Sequence, residues 1–348
     1  MTFKPKYRIT DRIARNLAGI ERVRGFLEGA RLRAEWLEEM QGRAAVIESH
    51  HSTHIEGTEL TLEQAEKILA GEKVENVREK DTTEVKNYRE ALDLVARYLG
   101  KEDPITEELI KDIHRTLVKE VRGGEYSPGE YRGIQNYIIN SATGEIVYTP
   151  PAAIFVPDMM EELLEWINRQ RDISPLLLAG IAQFQFVHIH PFLDGNGRTA
   201  RLLSTLILYK TGYDFKRLFT LSEYYDRDRP AYYRAIQSVR DSDMDMTGWL
   251  EYFTEGLKTQ LVEVQERGEL AIKRDMLRER ITALGLKERQ EAVVEYVFQQ
   301  GKITNREYQQ LCKVSQATAK RDLQEMVDKG VLEQVGKKGR GIYYVLKK

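Results

Sequence analysis

"ISPLLLAGIAQFQFVHIHPFLDGNGRTARLLSTLILYK" spans residues 173–210. Two apolar runs flank a polar centre, "HIHPFLDGNGRTAR", His188 to Arg201. The first run has Ser174 as a cap and Pro175 at the first helical position. It is apolar nearly all round, which predicts a central buried helix. A second helix is predicted from about Gly197 to a stop at Gly212. The polar chemistry therefore concentrates in the connection, "HPFLDGNG". Gly195 and Gly197 open backbone conformations closed to other residues and leave room for a ligand. The N–H groups that start the second helix form an anion site, strengthened by the helix dipole. Arg198 and Arg201, three residues apart, share a helix face beside it. Asp194 stands where it could hold a divalent cation against phosphate oxygens. His190, at the loop entrance, is a candidate general base. A phosphate cradle, a metal ligand and a base together point to transfer of a nucleotidyl or phosphoryl group.

The rest of the chain sets bounds on that chemistry. Its 348 residues suffice for two or three domains, and at 41% hydrophobic and 31% charged it can bury a core and stay in solution. The single cysteine, Cys312, rules out an internal disulfide and a cysteine-rich zinc site. No run approaches the ~18 apolar residues of a membrane span, and "MTFKPKYRIT" lacks the apolar core of a signal peptide. The expected location is the cytoplasm. A net charge of −2 hides an asymmetry: residues 286–348 carry a net of +5 and the remainder −7. An acidic body with a basic tail is the sign pattern of a module that meets nucleic acid.

Outward from the centre, helical patterns dominate. "LTLEQAEKILAG" has a capping box at Thr61 and Gln64 and a stop at Gly71. Val85, Tyr88, Leu92, Val95 and Leu99 recur at helical spacing before Gly100. Thr106 caps another helix, and one more is expected from about Asp158. Trp249 reads as core. One region departs from this: "YRGIQNYIINSATGEIVYTPP" has β-favouring residues on both sides of Ser141–Gly144 and predicts a β-hairpin.

"HPFLDGNGRTAR", His190 to Arg201, resembles the Fic family signature H-P-F-x-D-G-N-G-R-x-x-R at every specified position. The resemblance extends over about Thr61 to Leu257. It implies a mainly α, Fic-type helical fold with a β-hairpin flap, and transfer of AMP from ATP, with Mg²⁺, to a protein hydroxyl. By the same resemblance His190 is the base, Phe192 anchors the loop, Asp194 binds Mg²⁺, Gly195, Asn196 and Gly197 form the anion hole, and Arg198 and Arg201 offset β- and γ-phosphate charge. Tyr224 and the Tyr232–Tyr233 pair fall on the adenine side. Asn136, Tyr137, Ile138 and Tyr148 fall on the flap, which would hold a target as an extended strand.

"STHIEG" resembles the family's inhibitory motif, [ST]-x-x-x-E-[GN], with Ser52, Glu56 and Gly57 at its specified positions. Glu56 on Arg201 would occupy the cation that the γ-phosphate needs. A rival assignment makes His50, His51 and His54 a metal site, since their spacing allows it, but no carboxylate or cysteine cluster completes the set.

At the C-terminus three helices and two strands around a basic tip resemble a winged helix-turn-helix. Thr304 with Glu307 and Ser315 mark helix starts. Lys320 and Arg321 on the third helix, with Lys337, Lys338 and Arg340 on the wing, are the DNA-binding candidates. The same module could instead contact protein. The expected division is an N-terminal helical region with the inhibitory motif (1–100), a catalytic core (101–257), a connecting helix (258–285) and the winged helix (286–348). The partners implied are a target protein offering a Ser, Thr or Tyr hydroxyl, the chain itself, a second copy in a homodimer, and DNA or protein at the C-terminal module, but no membrane. Two other functions remain open on sequence: removal of AMP in the same site, and a DNA-binding regulator whose body senses nucleotide.

Overall fold

A computed structural model of the chain describes residues 3–121, 127–139, 143–336 and 341–347. Helices predominate, and the chain divides into two compact units, Met1–Glu266 and Arg267–Lys348.

The first unit contains, in order, α1 (Asp11–Gly29), α2 (Ala34–Ile55), α3 (Leu62–Leu69), α4 (Glu79–Ala96), α5 (Glu107–Val118), β1 (Ile138–Ile139), β2 (Ile146–Tyr148), α6 (Val156–Arg169), α7 (Pro175–Ile189), α8 (Asn196–Lys210), α9 (Leu221–Arg227), α10 (Arg229–Asp241) and the first part of α11 (Thr247–Ala283). Local signals set several of these boundaries. The Thr61 hydroxyl accepts from Gln64 N, and Gln64 returns a bond to Thr61 N, a complete capping box for α3. Thr106 caps α5 through Leu109 N. In α7 every residue from Leu176 to Val187 is buried, as an all-apolar helix requires. It packs between α6 and α8 at the centre of the core. Trp249 of α11 is fully buried and donates its indole N–H to Gly180 O at 2.8 Å. α4 ends at Ala96, before its predicted stop, and Leu99 beyond it is 40% exposed.

α2 is unusual in what it buries. Glu48, Ser49, His50, Ser52 and Thr53 are all buried on it, against α4 and α9. A buried carboxylate needs donors. Glu48 has three: the Tyr88 hydroxyl at 3.2 Å, Ser222 N at 3.0 Å and the Ser222 hydroxyl. α2, which runs into "STHIEG", is thus held by polar contacts to α4 and α9.

β1 and β2 pair antiparallel, Ile138 opposite Tyr148 and Ile139 opposite Ile146. This is the predicted hairpin, although its tip at 140–142 lies outside the described residues.

The second unit contains the end of α11, α12 (Glu288–Gln300), α13 (Asn305–Cys312), α14 (Gln316–Asp328), β3 (Leu332–Val335) and β4 (Tyr343–Leu346). Thr304 and Ser315 cap α13 and α14 as the sequence suggests. β3 and β4 pair antiparallel, and Ile303 forms an isolated antiparallel bridge to Tyr344. Val293, Val297, Tyr308, Leu323 and Met326 form the core. Asp322 is buried there and accepts from Arg289 Nε at 2.7 Å and the Tyr308 hydroxyl at 3.1 Å. Among the described residues no helix is long and apolar enough to cross a membrane.

Candidate active site

His190 closes α7 in the left-handed region, at φ 54° and ψ 59°. A non-glycine residue in that region is strained and needs support from its surroundings. Arg132 supplies it. Its Nε donates to His190 O at 2.9 Å, its Nη1 to Ile134 O, its Nη2 to Pro151 O, and its backbone N to Pro191 O at 2.9 Å. Arg132 thus ties the base of the hairpin to the motif loop. The His190 ring points Nδ1 at Val187 O, 3.3 Å away. A carbonyl can only accept, so Nδ1 carries the proton and Nε2 keeps its lone pair. Burial pushes the His190 pKa down to about 4, so the ring is neutral near pH 7.

The loop after His190 is clamped by its own residues. Asn196 Oδ1 accepts from Phe192 N at 2.9 Å, and Asn196 Nδ2 donates to Phe192 O at 2.8 Å. Phe192 is fully buried and stacks on His114, ring centroids 3.7 Å apart. His114 Nε2 donates to Asp194 O at 3.1 Å, while its Nδ1 accepts from Gly129 N at 2.9 Å. These two bonds fix its neutral tautomer, and burial lowers its pKa to about 4. Gly195, at φ +74°, forms the N-cap of α8, and a Cβ there would press on Val118 and His114.

Asp194 and Arg198 lie together. Asp194 Oδ1 accepts from Gly195 N at 2.7 Å, and its Oδ2 lies 3.7 Å from Arg198 Nη2. The Arg198 guanidinium is wholly buried, with Glu84 of α4 at 3.8 Å. Arg201, one turn on, turns instead toward α2. Its Nε donates to the Ser52 hydroxyl at 2.8 Å, and its Nη2 donates to Ser52 O and to Glu56 Oε1, both at 2.9 Å. Glu56 caps the C-terminal end of α2, and the Gly57 N–H returns to His54 O at 3.0 Å. A Cβ on Gly197 would come within 2.3 Å of Glu56 Oε1, so a side chain there would displace the carboxylate from its present place.

Glu56, His190, Gly197 and Arg201 open on one cavity of about 890 Å³. Tyr137, Ile138, Ile139 and Val147 of the hairpin line one side, and Tyr232, Tyr233 and Arg240 of α10 line another. Tyr137 is half exposed, whereas Tyr232 is buried and stacks on Tyr225, centroids 4.3 Å apart. Asn136 donates to Phe192 O at 3.2 Å. The Tyr148 hydroxyl lies 2.8 Å from His188 Nδ1 and 3.0 Å from His188 O. Tyr224 is not among the lining residues. It packs on Tyr252 and on the bare backbone of Gly256. Arg198 is absent from the lining as well. The two arginines do not share one environment, because Glu84 of α4 lies beside Arg198 whereas Ser52 and Glu56 take up Arg201.

The three histidines of α2 go elsewhere too. His50 Nε2 lies 2.8 Å from Leu60 O, and His51 and His54 both reach Asp226 Oδ2 at 2.7 Å. Among the described residues no group of three or more His, Cys, Asp or Glu side chains could hold a metal ion. In the second unit Lys320 and Arg321 are exposed on α14. Lys337, Lys338 and Arg340 lie outside the described residues. Arg132, His114 and Arg240 were not singled out from sequence. Only Arg132, inside "YRG", had any signal there.

Residues 104–208 match the Fic/DOC family model, and residues 289–336 match that of the DeoR-like helix-turn-helix domain. The chain is similar to the protein adenylyltransferase Fic of Drosophila willistoni, 30% identical over 207 residues, which are 57% of this chain and 39% of the relative. It is also similar to the protein of that name from Culex quinquefasciatus, 32% identical over 186 residues, 51% of this chain and 34% of the relative. The chain thus spans well under half the length of either. Among solved structures, a Fic family protein from Desulfovibrio desulfuricans G20 superposes with a TM-score of 0.66 at 22% identity, covering 99% of this chain and 98% of that one. A Fic domain containing signaling protein from Bacteroides thetaiotaomicron VPI-5482 superposes at 0.60 with 25% identity, covering 76% of this chain and 96% of that one. The chain carries a Fic domain on a mainly helical fold, with a helix-turn-helix domain of the DeoR-like type at its C-terminus.

Proposed function

We propose that this Fic-domain chain transfers AMP from ATP to a hydroxyl side chain of a target protein, and to itself, and that Glu56 holds the site in an inhibited state. The observation that carries the proposal is the convergence of His190, Gly197, Arg201 and Glu56 on one cavity, with Glu56 on Arg201 at 2.9 Å. The names of the relatives support AMP transfer at the level of the family.

His190 Nε2 takes the proton of the target Ser, Thr or Tyr hydroxyl as its oxygen attacks the α-phosphorus. The new O–P bond forms as the bond from the α-phosphorus to the bridging oxygen breaks, and pyrophosphate leaves. The phosphate charge of a bound nucleotide favours the imidazolium and so strengthens a base that burial weakens in the empty site. The N–H groups at the start of α8 receive phosphate oxygens, and Asn196 keeps the loop in shape for them. Arg201 pairs with the γ-phosphate once Glu56 withdraws. Arg198, with Glu84 and Asp194 beside it, positions the metal-binding carboxylate. Asp194 fits Mg²⁺, since a single carboxylate beside phosphate oxygens suits an ion that keeps most of its waters. When bound there, Mg²⁺ supplies charge compensation for the phosphates. Tyr232 and Tyr233 flank the adenine side, and the hairpin pairs with an extended target strand.

The C-terminal unit is proposed to bind DNA through α14 and the β3–β4 wing, and the cytoplasm is the proposed location. The test of the catalytic proposal is His190→Ala, assayed with α-labelled ATP, Mg²⁺ and purified protein. Protein labelling should be lost while ATP binding survives. Labelling above a tenth of the parent rate would exclude His190 as the base.

A further inference from the structure

Exposed apolar side chains on this protein are not evenly scattered. Thirteen large ones stand well exposed among the described residues, and seven of them fall between 134 and 155, which makes that stretch a patch rather than ordinary surface. The same stretch holds one charged side chain, Glu145, in a chain that is 31% charged. Two parts make up the patch. The hairpin supplies Tyr137, Ile139, Ile146 and Val147. Ile134 before β1, with Ile154 and Phe155 after β2, supplies the rest, at 64%, 78% and 57% exposure. Ile154 and Phe155 lie in a 3₁₀ turn, Ala153–Phe155, that leads into α6.

Local bonds join the two parts. The Arg132 guanidinium donates to both Ile134 O and Pro151 O, so the chain before β1 and the chain after β2 run side by side. Gln135 Nε2 donates to Pro150 O at 3.0 Å and repeats the tie. Val156, next to Phe155, is fully buried, so the turn is anchored in the core while its two apolar side chains stay outside. Tyr137, Ile139 and Val147 line the cavity that holds His190, whereas Ile134, Ile154 and Phe155 do not. The patch therefore begins at the cavity wall and continues outside it, where the second substrate arrives. Among the described residues β1 and β2 pair only with each other, so each keeps an unpaired edge for an extended segment.

We infer that Ile134, Ile154 and Phe155 form a selectivity surface for the target protein, and that the segment presented for modification is extended and carries apolar residues beside the accepting hydroxyl. The inference rests on the AMP-transfer proposal and names the substrate class of that site. Main-chain pairing along the hairpin is indifferent to sequence, but side chains that cover an exposed Ile and Phe are not. Covering them removes apolar surface from water and so favours an apolar flank. A Lys or Glu flank would lose hydration against a surface with almost no charge to offer in return.

The test uses the full chain with Glu56→Gly, α-labelled ATP, Mg²⁺ and synthetic peptides with a central Ser, Thr or Tyr. Each acceptor is flanked on both sides by Ile and Val in one set and by Gln in the other, with the same terminal lysines in both. Apolar-flanked peptides should be labelled with a kcat/KM about tenfold or more above their Gln-flanked partners. Ile154→Gln combined with Phe155→Gln should bring that ratio to about one by raising KM for the apolar peptides, with KM for ATP unchanged. Fluorescence anisotropy of the same peptides, labelled with fluorescein, should show the same preference and the same loss. Should the double variant melt below the assay temperature, Ile154→Gln alone repeats both measurements at the most exposed of the three positions. Equal kcat/KM for the two sets, or a preference that survives the substitutions, overturns the inference. Binding to phosphatidylcholine–phosphatidylserine vesicles that the double variant loses also overturns it, by making the patch a membrane contact. A dimer that the double variant dissolves does so too, by making the patch a contact between copies. If the Glu56→Gly chain labels neither itself nor any peptide, the AMP-transfer proposal fails, and the anisotropy comparison still decides for or against the surface.

Discussion

His190, His114 and His188 are each pushed to a pKa of about 4 by burial. The unfolded chain titrates these rings near 6.5. As pH falls through that value the unfolded state takes up protons that the folded state refuses. Their contribution to stability is therefore full above about pH 6.5 and is lost progressively toward pH 4. Thermal melts in matched buffers should show the melting temperature dropping across that window. A flat profile from pH 7 to 4.5 would mean that these rings are solvated. Phe192 gives a second residue-scale expectation. Fully buried and stacked on His114, its replacement in Phe192→Ala should cost about 3–5 kcal/mol in denaturant melts. A loss below about 1 kcal/mol would mean that the ring does not anchor the loop. The sequence made the motif's residue types legible, because glycines, a histidine and arginines in that order have few other uses. It did not show which way each side chain turns. Arg198 and Arg201 looked equivalent by spacing, yet a buried Glu84 on a helix a hundred residues earlier takes one of them. Resemblance alone puts Tyr224 on the adenine side, and its packing on Gly256 depends on α11, which no local pattern places.

α2 shows the same limit at the scale of an element. Its existence as a helix and its "STHIEG" end were readable, but its polar buried face was not. Burying Glu48 and seating His51 and His54 depend on α4 and α9, which bring the matching donors and acceptors. Asp226 of α9 is one such partner. It receives His51, His54 and Arg229, which together hold its carboxyl below the ordinary range despite burial. Asp226→Ala should release the middle of α2 from α9 and loosen Glu56 from Arg201. Autolabelling should rise several-fold, though less than in Glu56→Gly, and the melting temperature should fall. Unchanged labelling with a lowered melting temperature would confine Asp226 to a structural role. The hairpin and α7 were the most legible elements. β-favouring residues around a Gly-containing turn, and an all-apolar run behind Ser-Pro, leave little choice.

Across the whole molecule, charge is divided unevenly along the chain. The basic excess falls in the unit that carries the helix-turn-helix, where Lys320 and Arg321 stand exposed on α14. Neutralising both should weaken DNA binding similarly for all sequences and reduce the salt slope of log K by about 1–2. Absence of DNA binding by the full chain even at low salt would make this unit a protein-contact domain. The body is where the central claim lies, that one carboxylate decides whether an otherwise complete site is active. On that proposal the γ-phosphate lacks its cation while Glu56 is on Arg201, and a displacement of about 1 Å at the reacting atoms can cost on the order of 10²-fold in rate. The measurement is autolabelling with α-labelled ATP and Mg²⁺ by the parent, Glu56→Gly, His190→Ala and the double variant, at equal protein concentration. Glu56→Gly should label about a hundredfold faster than the parent, and adding His190→Ala should abolish the gain. Equal labelling by the parent and Glu56→Gly would contradict the account, leaving "STHIEG" as no more than the end of a helix.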